Sequence, residues 1–104
     1  MEYAIENEYL IVTVTTWGAQ VKSVVRKFDD VEHMWQADKS VWGYHAPILF
    51  PHTGKVVDDL IETKGEVYQA KQHGFARLME HTLVRQTEDT IVMELRSSEE
   101  TLRI

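Results

Sequence analysis

At 104 residues the chain is expected to form one domain, residues 1–104, because domains commonly run to about 100–150 residues. Hydrophobic residues make up 43% and charged residues 27%, and mean hydropathy is −0.33, which argues against disorder; no run approaches the ~18 apolar residues of a membrane span. The net charge of −6, with Lys and Arg scattered along the chain, offers no basic face for nucleic acid.

The absence of cysteine removes disulfides, thiolate catalysis and Cys-ligated zinc together. Met1-Glu2-Tyr3 is acidic where a leader peptide would be basic, and no uninterrupted apolar stretch follows. Cytoplasm is the simplest expectation.

Tyr3-Ala4-Ile5 reads as a short strand, followed by a turn at Glu6-Asn7-Glu8. Leu10 to Thr16 is β-branched almost throughout, with Leu10, Val12 and Val14 on one face by the period of two. After Trp17-Gly18 the alternation resumes, placing Ala19, Val21, Ser23 and Val25 together. Asp29-Asp30 marks a turn, and His33-Met34-Trp35 is expected as another short strand. Pro47 and Pro51 bracket Ile48-Leu49-Phe50, which suits an irregular or edge segment because proline cannot donate to a ladder.

Asp59 to Ala70 predicts a hairpin turning at Lys64-Gly65, where Gly65 supplies a positive φ. Thr82–Gln86 and Thr90–Arg96 predict a second hairpin around Glu88-Asp89, with Ile91, Met93 and Leu95 inward. The tail can start a short helix with Ser98 as its N-cap. No window gives an amphipathic helix of three turns. The expected class is all-β, with about eight short, mostly antiparallel strands.

The chemistry-bearing residues gather in two irregular pieces flanking the first hairpin. Ala46-Pro47-Ile48-Leu49-Phe50-Pro51-His52-Thr53-Gly54-Lys55 precedes it, and Gln72-His73-Gly74-Phe75-Ala76-Arg77 follows it. A hairpin returns its ends to one place, so Lys55 and His73 are expected near one another at its base. His73 can donate or accept near neutrality, or it can be a buried histidine satisfied by a carbonyl. Lys55 is a ligand-contacting cation or a solvated surface lysine. Arg77, if the segment stays extended, lies two strand steps from His73 and can pair with a carboxylate or touch a ligand. Phe50 and Phe75 can floor a site or fill a core. His33, His45, His52 and His81 show neither metal-ligand spacing nor a cysteine to complete a zinc site, so no metal is expected. No serine sits in a nucleophile elbow.

The pairing of P-I-L-F-P-x-x-G-K with Q-H-G-F-A-R resembles the aldose 1-epimerase (galactose mutarotase) family, as does the I-E-N-x-x-L-x-V-T-V opening. The likeness runs the length of the chain and matches the N-terminal part of such a protein. It implies a portion of a galactose mutarotase-like β-sandwich that binds a monosaccharide, needs no cofactor, and interconverts the anomers of an aldose. In the family a carboxylate takes the proton from the C1 hydroxyl while a histidine protonates the ring oxygen, and the opened ring closes from either face.

His73 matches the family's first histidine, which helps bind the sugar and stabilise charge during ring opening. Lys55 stands where the family usually has arginine, and Arg77 closes the same motif. The family's glutamate base and second histidine have no match here. The resemblance therefore implies either a chain that acts when completed by further sequence, or a non-catalytic carbohydrate-binding or structural fragment. Sheet edges left open in such a portion imply a homo-oligomer.

Overall fold

The computed structural model describes residues 1–98, so the helix expected from Ser98 onward lies outside the described residues. Glu2–Glu6 (β1), Leu10–Thr15 (β2), Val21–Arg26 (β3) and Val31–Glu32 (β4) form an antiparallel meander in chain order. The turn after β1 closes on Asn7, whose Oδ1 accepts the Tyr9 and Leu10 amides at 2.8 and 2.9 Å, a bond asparagine makes readily in turns. Ile5, Val12 and Val24 line up across the three long strands, and so do Tyr3, Val14 and Val21.

Two details depart from the alternation seen in the letters. Gly18 and Ala19 both take positive φ, and the ladder slips between Thr13 and Val14, so β3 starts at Val21. Val21 then faces Val14 while Ser23 faces Thr13, adjacent positions of β2 that point to opposite faces. One extra residue in a bulge has shifted the phase. The fourth strand also forms earlier than His33–Trp35. The Glu32 carboxylate accepts the Ser23 hydroxyl, the Val24 amide at 2.8 Å and the Met34 amide at 3.2 Å. The chain bends around that side chain and leaves the sheet.

Beyond a long irregular stretch, a 3-10 turn at Val57–Asp59 leads into Leu60–Thr63 (β5) and Glu66–Gln69 (β6). Lys64 and Gly65 link them with φ of 53° and 80°, the paired positive values of a type I′ turn. The hairpin forms as its turn residues predict. A second 3-10 turn spans Ala76–Leu78, so the segment after His73 is not extended, and the expected strand spacing of Arg77 does not hold. Thr82–Gln86 (β7) and Ile91–Glu94 (β8) form the last hairpin, shorter than its apolar pattern suggested.

Main-chain bonds tie the later elements to the meander. Gly18 donates to Met79 O at 2.8 Å and His81 donates to Thr16 O at 2.7 Å, while Glu6 donates to Glu88 O at 2.8 Å. The result is a slab of 54 × 33 × 17 Å, with a radius of gyration of 16.4 Å. A closed domain of this length would have about 13 Å. Among the described residues the buried apolar side chains are Val14, Ala70 and Ala76, and Phe28 is 91% exposed. The fold is all-β, in one four-stranded sheet and two two-stranded sheets among the described residues.

Candidate functional site

The two irregular pieces meet at the base of β5 and β6, where Ala70 N–H closes on Asp59 O at 2.6 Å. Phe50 O accepts the amides of Phe75 and Ala76 at 3.0 and 3.2 Å. Gly74 sits against that carbonyl with φ of 77°, and a Cβ built on it would lie 2.2 Å from Phe50 O. Only glycine fits there. The Phe50 and Phe75 rings stand edge to face with centroids 6.1 Å apart, a favoured aromatic geometry. The peptide bond between Phe50 and Pro51 is cis.

His73 is joined to the first piece at two points. Its amide donates to Gly54 O at 2.9 Å, and its Nδ1 accepts the Gly54 amide at 2.8 Å. Its backbone is left-handed, with φ of 65°. Gly74 donates to Lys71 O at 2.9 Å, closing a tight turn around His73. This places Lys55, the residue after Gly54, at the junction with His73, as a hairpin between them requires. The Lys55 side chain is 66% exposed, with Nζ 3.7 Å from Asp59 Oδ1. An exposed pair at that distance is a weak restraint.

Arg77 pairs with no carboxylate among the described residues. Its guanidinium carbon lies 4.8 Å from the centre of the Tyr44 ring, a cation–π contact. A terminal nitrogen donates to Gln72 O at 3.0 Å, while Nε is buried without a partner. Arg77 therefore reaches His73 through the Gln72 backbone. Among the described residues the three candidate side chains make no hydrogen bond to one another; Gly54 and Gln72 connect them.

Three further residues support the site; Gln72 stands in the Q-H-G-F-A-R motif, while Gln20 and Tyr44 carried no signal in the chain order. Gln20, nearly buried, accepts the His45 and Ala46 amides on Oε1 at 3.0 and 3.1 Å, which anchors the first piece to the meander. Tyr44 holds Arg77, and the Gln72 side chain approaches His73 Nε2 at 3.4 Å. Each acts through a long-range or side-chain contact that leaves no periodicity to read.

His52 borders a hollow of about 230 Å³ together with Ile61, Gly74, Phe75, Leu78 and Met79, and both its ring nitrogens are buried without partners. His45 Nδ1 lies 2.7 Å from Trp35 O. Among the described residues no three His, Cys, Asp or Glu side chains gather as a metal centre would require, and no helix is long and apolar enough to cross a membrane.

The family model described as aldose 1-epimerase matches residues 1–102. The chain belongs to the aldose 1-epimerase family. It is similar to Protein LacX of Lactococcus lactis subsp. lactis, 34% identical over 98% of this chain and 36% of that protein. Among solved structures it resembles a galactose mutarotase related enzyme from Lactobacillus acidophilus, at a TM-score of 0.95 and 40% identity, covering 97% of this chain and 34% of that one. A galactose mutarotase-like protein from Lactobacillus casei gives 0.93 and 33%, over 98% of this chain and 35% of that one. The family and the galactose mutarotase-like fold are thereby shown. The chain spans about a third of the length of these relatives.

Proposed function

We propose that residues 46–77 form part of a monosaccharide-binding site used for aldose 1-epimerase chemistry, in which acid–base ring opening interconverts the anomers of an aldose. The observation that carries this reading is the two-point junction of Gly54 and His73. It fixes an imidazole and a neighbouring exposed cation where two family motifs meet. In this reading His73 contacts a sugar oxygen, and Lys55 donates to hydroxyls as a point charge, without the planar fork an arginine would bring. Arg77 belongs to the substrate-binding set through the loop it holds. The Phe50–Phe75 pair offers an apolar surface to the C–H face of a sugar ring.

Anomer interconversion belongs to a complete family member. This chain alone is expected to be inactive, because it matches neither the family's base glutamate nor its acid histidine. A second reading, a non-catalytic carbohydrate-binding or structural fragment, is favoured by the slab-like shape and the few buried apolar side chains. The lack of cysteine fits a cytoplasmic protein.

Titration of the ¹⁵N-labelled chain with D-galactose and D-glucose tests the binding site. Perturbed amide signals at Gly54, Lys55 and His73, abolished by His73→Ala, are the expected result. Silence of all three in the wild-type chain removes the sugar-binding reading.

A further inference from the structure

We infer that Trp42 and Tyr44 form an aromatic corner beside Arg77 that takes a second, neutral sugar unit, so that the site receives a disaccharide by its reducing end. This deepens the proposed function and rests on it for the sugar at the Gly54–His73 junction.

The stretch that carries the corner, residues 35–45, is folded on itself by its own bonds. Asp38 O accepts the Val41 and Trp42 amides at 2.9 and 2.7 Å. Asp38 Oδ1 accepts the Ser40 amide and hydroxyl at 2.9 and 2.7 Å. Trp35 Nε1–H donates to Trp42 O at 2.8 Å, and the His45 ring donates from Nδ1 to Trp35 O at 2.7 Å. Gln20 then ties the end of the stretch to the meander. Yet Trp35 and Trp42 remain 43% and 49% exposed. These bonds therefore hold aromatic side chains at the surface, not in a core. A ring fixed before a ligand arrives loses little freedom when it binds one.

Trp42 brings a broad apolar face with one N–H donor at its edge. That combination suits a sugar ring, which is apolar on its C–H face and polar around its rim. The Trp42 and Tyr44 rings lie 6.0 Å apart between centroids and are tilted by 50°, so they stand at an open angle. The Arg77 guanidinium lies over Tyr44 at 4.8 Å and donates to the carbonyl of Gln72, the residue before His73. A single aromatic ring thus separates Trp42 from the loop that carries His73. A ligand with its first sugar at the junction can reach the corner with a second unit joined to it. Arg77, the cation at the corner, is already engaged by Tyr44 and Gln72 O, so no anion is called for on the ligand. The first sugar must keep a free anomeric hydroxyl to be opened. The ligand class is therefore a neutral disaccharide, or a longer chain, with a free reducing end.

Titration of the ¹⁵N-labelled 104-residue chain with D-glucose, maltose and lactose tests the corner, read at the Gly54, Lys55 and His73 amides and at the indole N–H signals. The two disaccharides should bind roughly three- to tenfold more tightly than D-glucose, the gain from one added aromatic contact. They should also move the Trp42 indole signal, which D-glucose leaves in place. Trp42→Ala should bring the disaccharides down to the affinity of D-glucose without changing D-glucose itself, and Trp42→Tyr should recover most of the gain. The Trp35 indole signal reports that the stretch stays folded in each variant, because its bond goes to the main chain of residue 42. Equal affinities for the three sugars, or a gain that survives Trp42→Ala, overturns the inference. A Trp42 signal that shifts on dilution of the chain but ignores maltose and lactose makes the corner a contact between copies, and overturns it too. A response at the junction with none at Trp42 removes the corner and leaves the proposed site. A disaccharide that moves Trp42 alone does the reverse, and silence of every signal removes both.

Discussion

Gly54 and His73 bind each other twice, His73 N–H to Gly54 O at 2.9 Å and Gly54 N–H to His73 Nδ1 at 2.8 Å. The imidazole completes a pairing that would otherwise need a second strand. One group is therefore both a lock between two loops and the polar tip they present. Its neighbours share the load: Phe50 O takes two amides from the second loop, and Arg77 holds the Gln72 carbonyl. Substitutions here should act on loop geometry and ligand contact together, and the variants below separate the two.

Gly74→Ala should be the most disruptive single change at the junction. The new Cβ would fall 2.2 Å from Phe50 O, on a residue whose φ is 77°. Gly65→Ala has a similar φ of 80° but meets nothing within 4 Å. The Gly65 variant should lose about 1 kcal/mol from backbone strain alone. Gly74→Ala should lose that and more, in the range of about 2–4 kcal/mol. Urea denaturation of the two variants checks the order, and equal losses would contradict the close contact.

Acid should loosen the fourth strand through Glu32. The Ser23 hydroxyl first, then the Val24 and Met34 amides, hold its carboxyl below the ordinary value. A carboxyl whose value is lowered by folding contributes stability above its unfolded value, and loses it as pH falls through the folded one. The contribution is thus present at neutral pH and disappears in the acid range below about 4.5. Glu32→Gln should flatten that part of the stability profile while leaving the alkaline side unchanged. Urea midpoints measured across the acid range report it, and an unaltered profile would remove Glu32 from this role.

The hairpin of β5 and β6 was legible because Lys64-Gly65 is a turn with a mechanism, and the meeting of the two motifs followed from it. The strand at Leu10–Thr15 was legible from its β-branched run. What escaped the letters was set by side chains acting at a distance. Glu32 ends the sheet before His33 by capping two amides, and a bulge opposite Thr13 and Val14 reverses the phase of β3. Arg77 finds Tyr44 and Gln72 rather than a carboxylate because a 3-10 turn replaces the extended chain. The glutamine at position 20 looks like any polar residue after a turn, yet it fixes the start of the first motif.

Arg77→Lys should not be conservative. Lysine keeps the charge but loses the flat surface over Tyr44 and the fork that reaches Gln72 O. Amide exchange at Gln72, His73 and Gly74 should accelerate, and any response of His73 to D-galactose should weaken with it. An unchanged exchange pattern would show that Arg77 does not hold the loop.

Self-association is the expected state of this chain in solution. β1 and β4 are the edges of the four-stranded sheet, and Phe28, Val67 and Val84 are exposed apolar side chains. Open edges and apolar faces pair with other copies. Light scattering at high micromolar concentration should report a homo-oligomer, and a clean monomer there would contradict it.

The chain by itself should not measurably accelerate mutarotation of glucose or galactose. Anomerisation needs an acid at the ring oxygen and a base at the C1 hydroxyl held in hydrogen-bond reach, each typically worth roughly 10²–10⁴-fold. With Nδ1 engaged by Gly54, His73 offers a donor but no base. The nearby carboxylates do not supply one: Asp59 lies 3.7 Å from Lys55 Nζ, and Glu66 accepts the Tyr68 hydroxyl at 2.6 Å on the exposed hairpin. Weak sugar binding can persist, because a few convergent polar groups beside an apolar surface suffice. Polarimetry on the 104-residue chain, beside a version extended to the length of its relatives, separates binding from turnover. The extended protein should be active and should be crippled by His73→Ala. Catalysis by the short chain that vanishes on His73→Ala would instead require an acid–base pair among its own residues, or one assembled between copies.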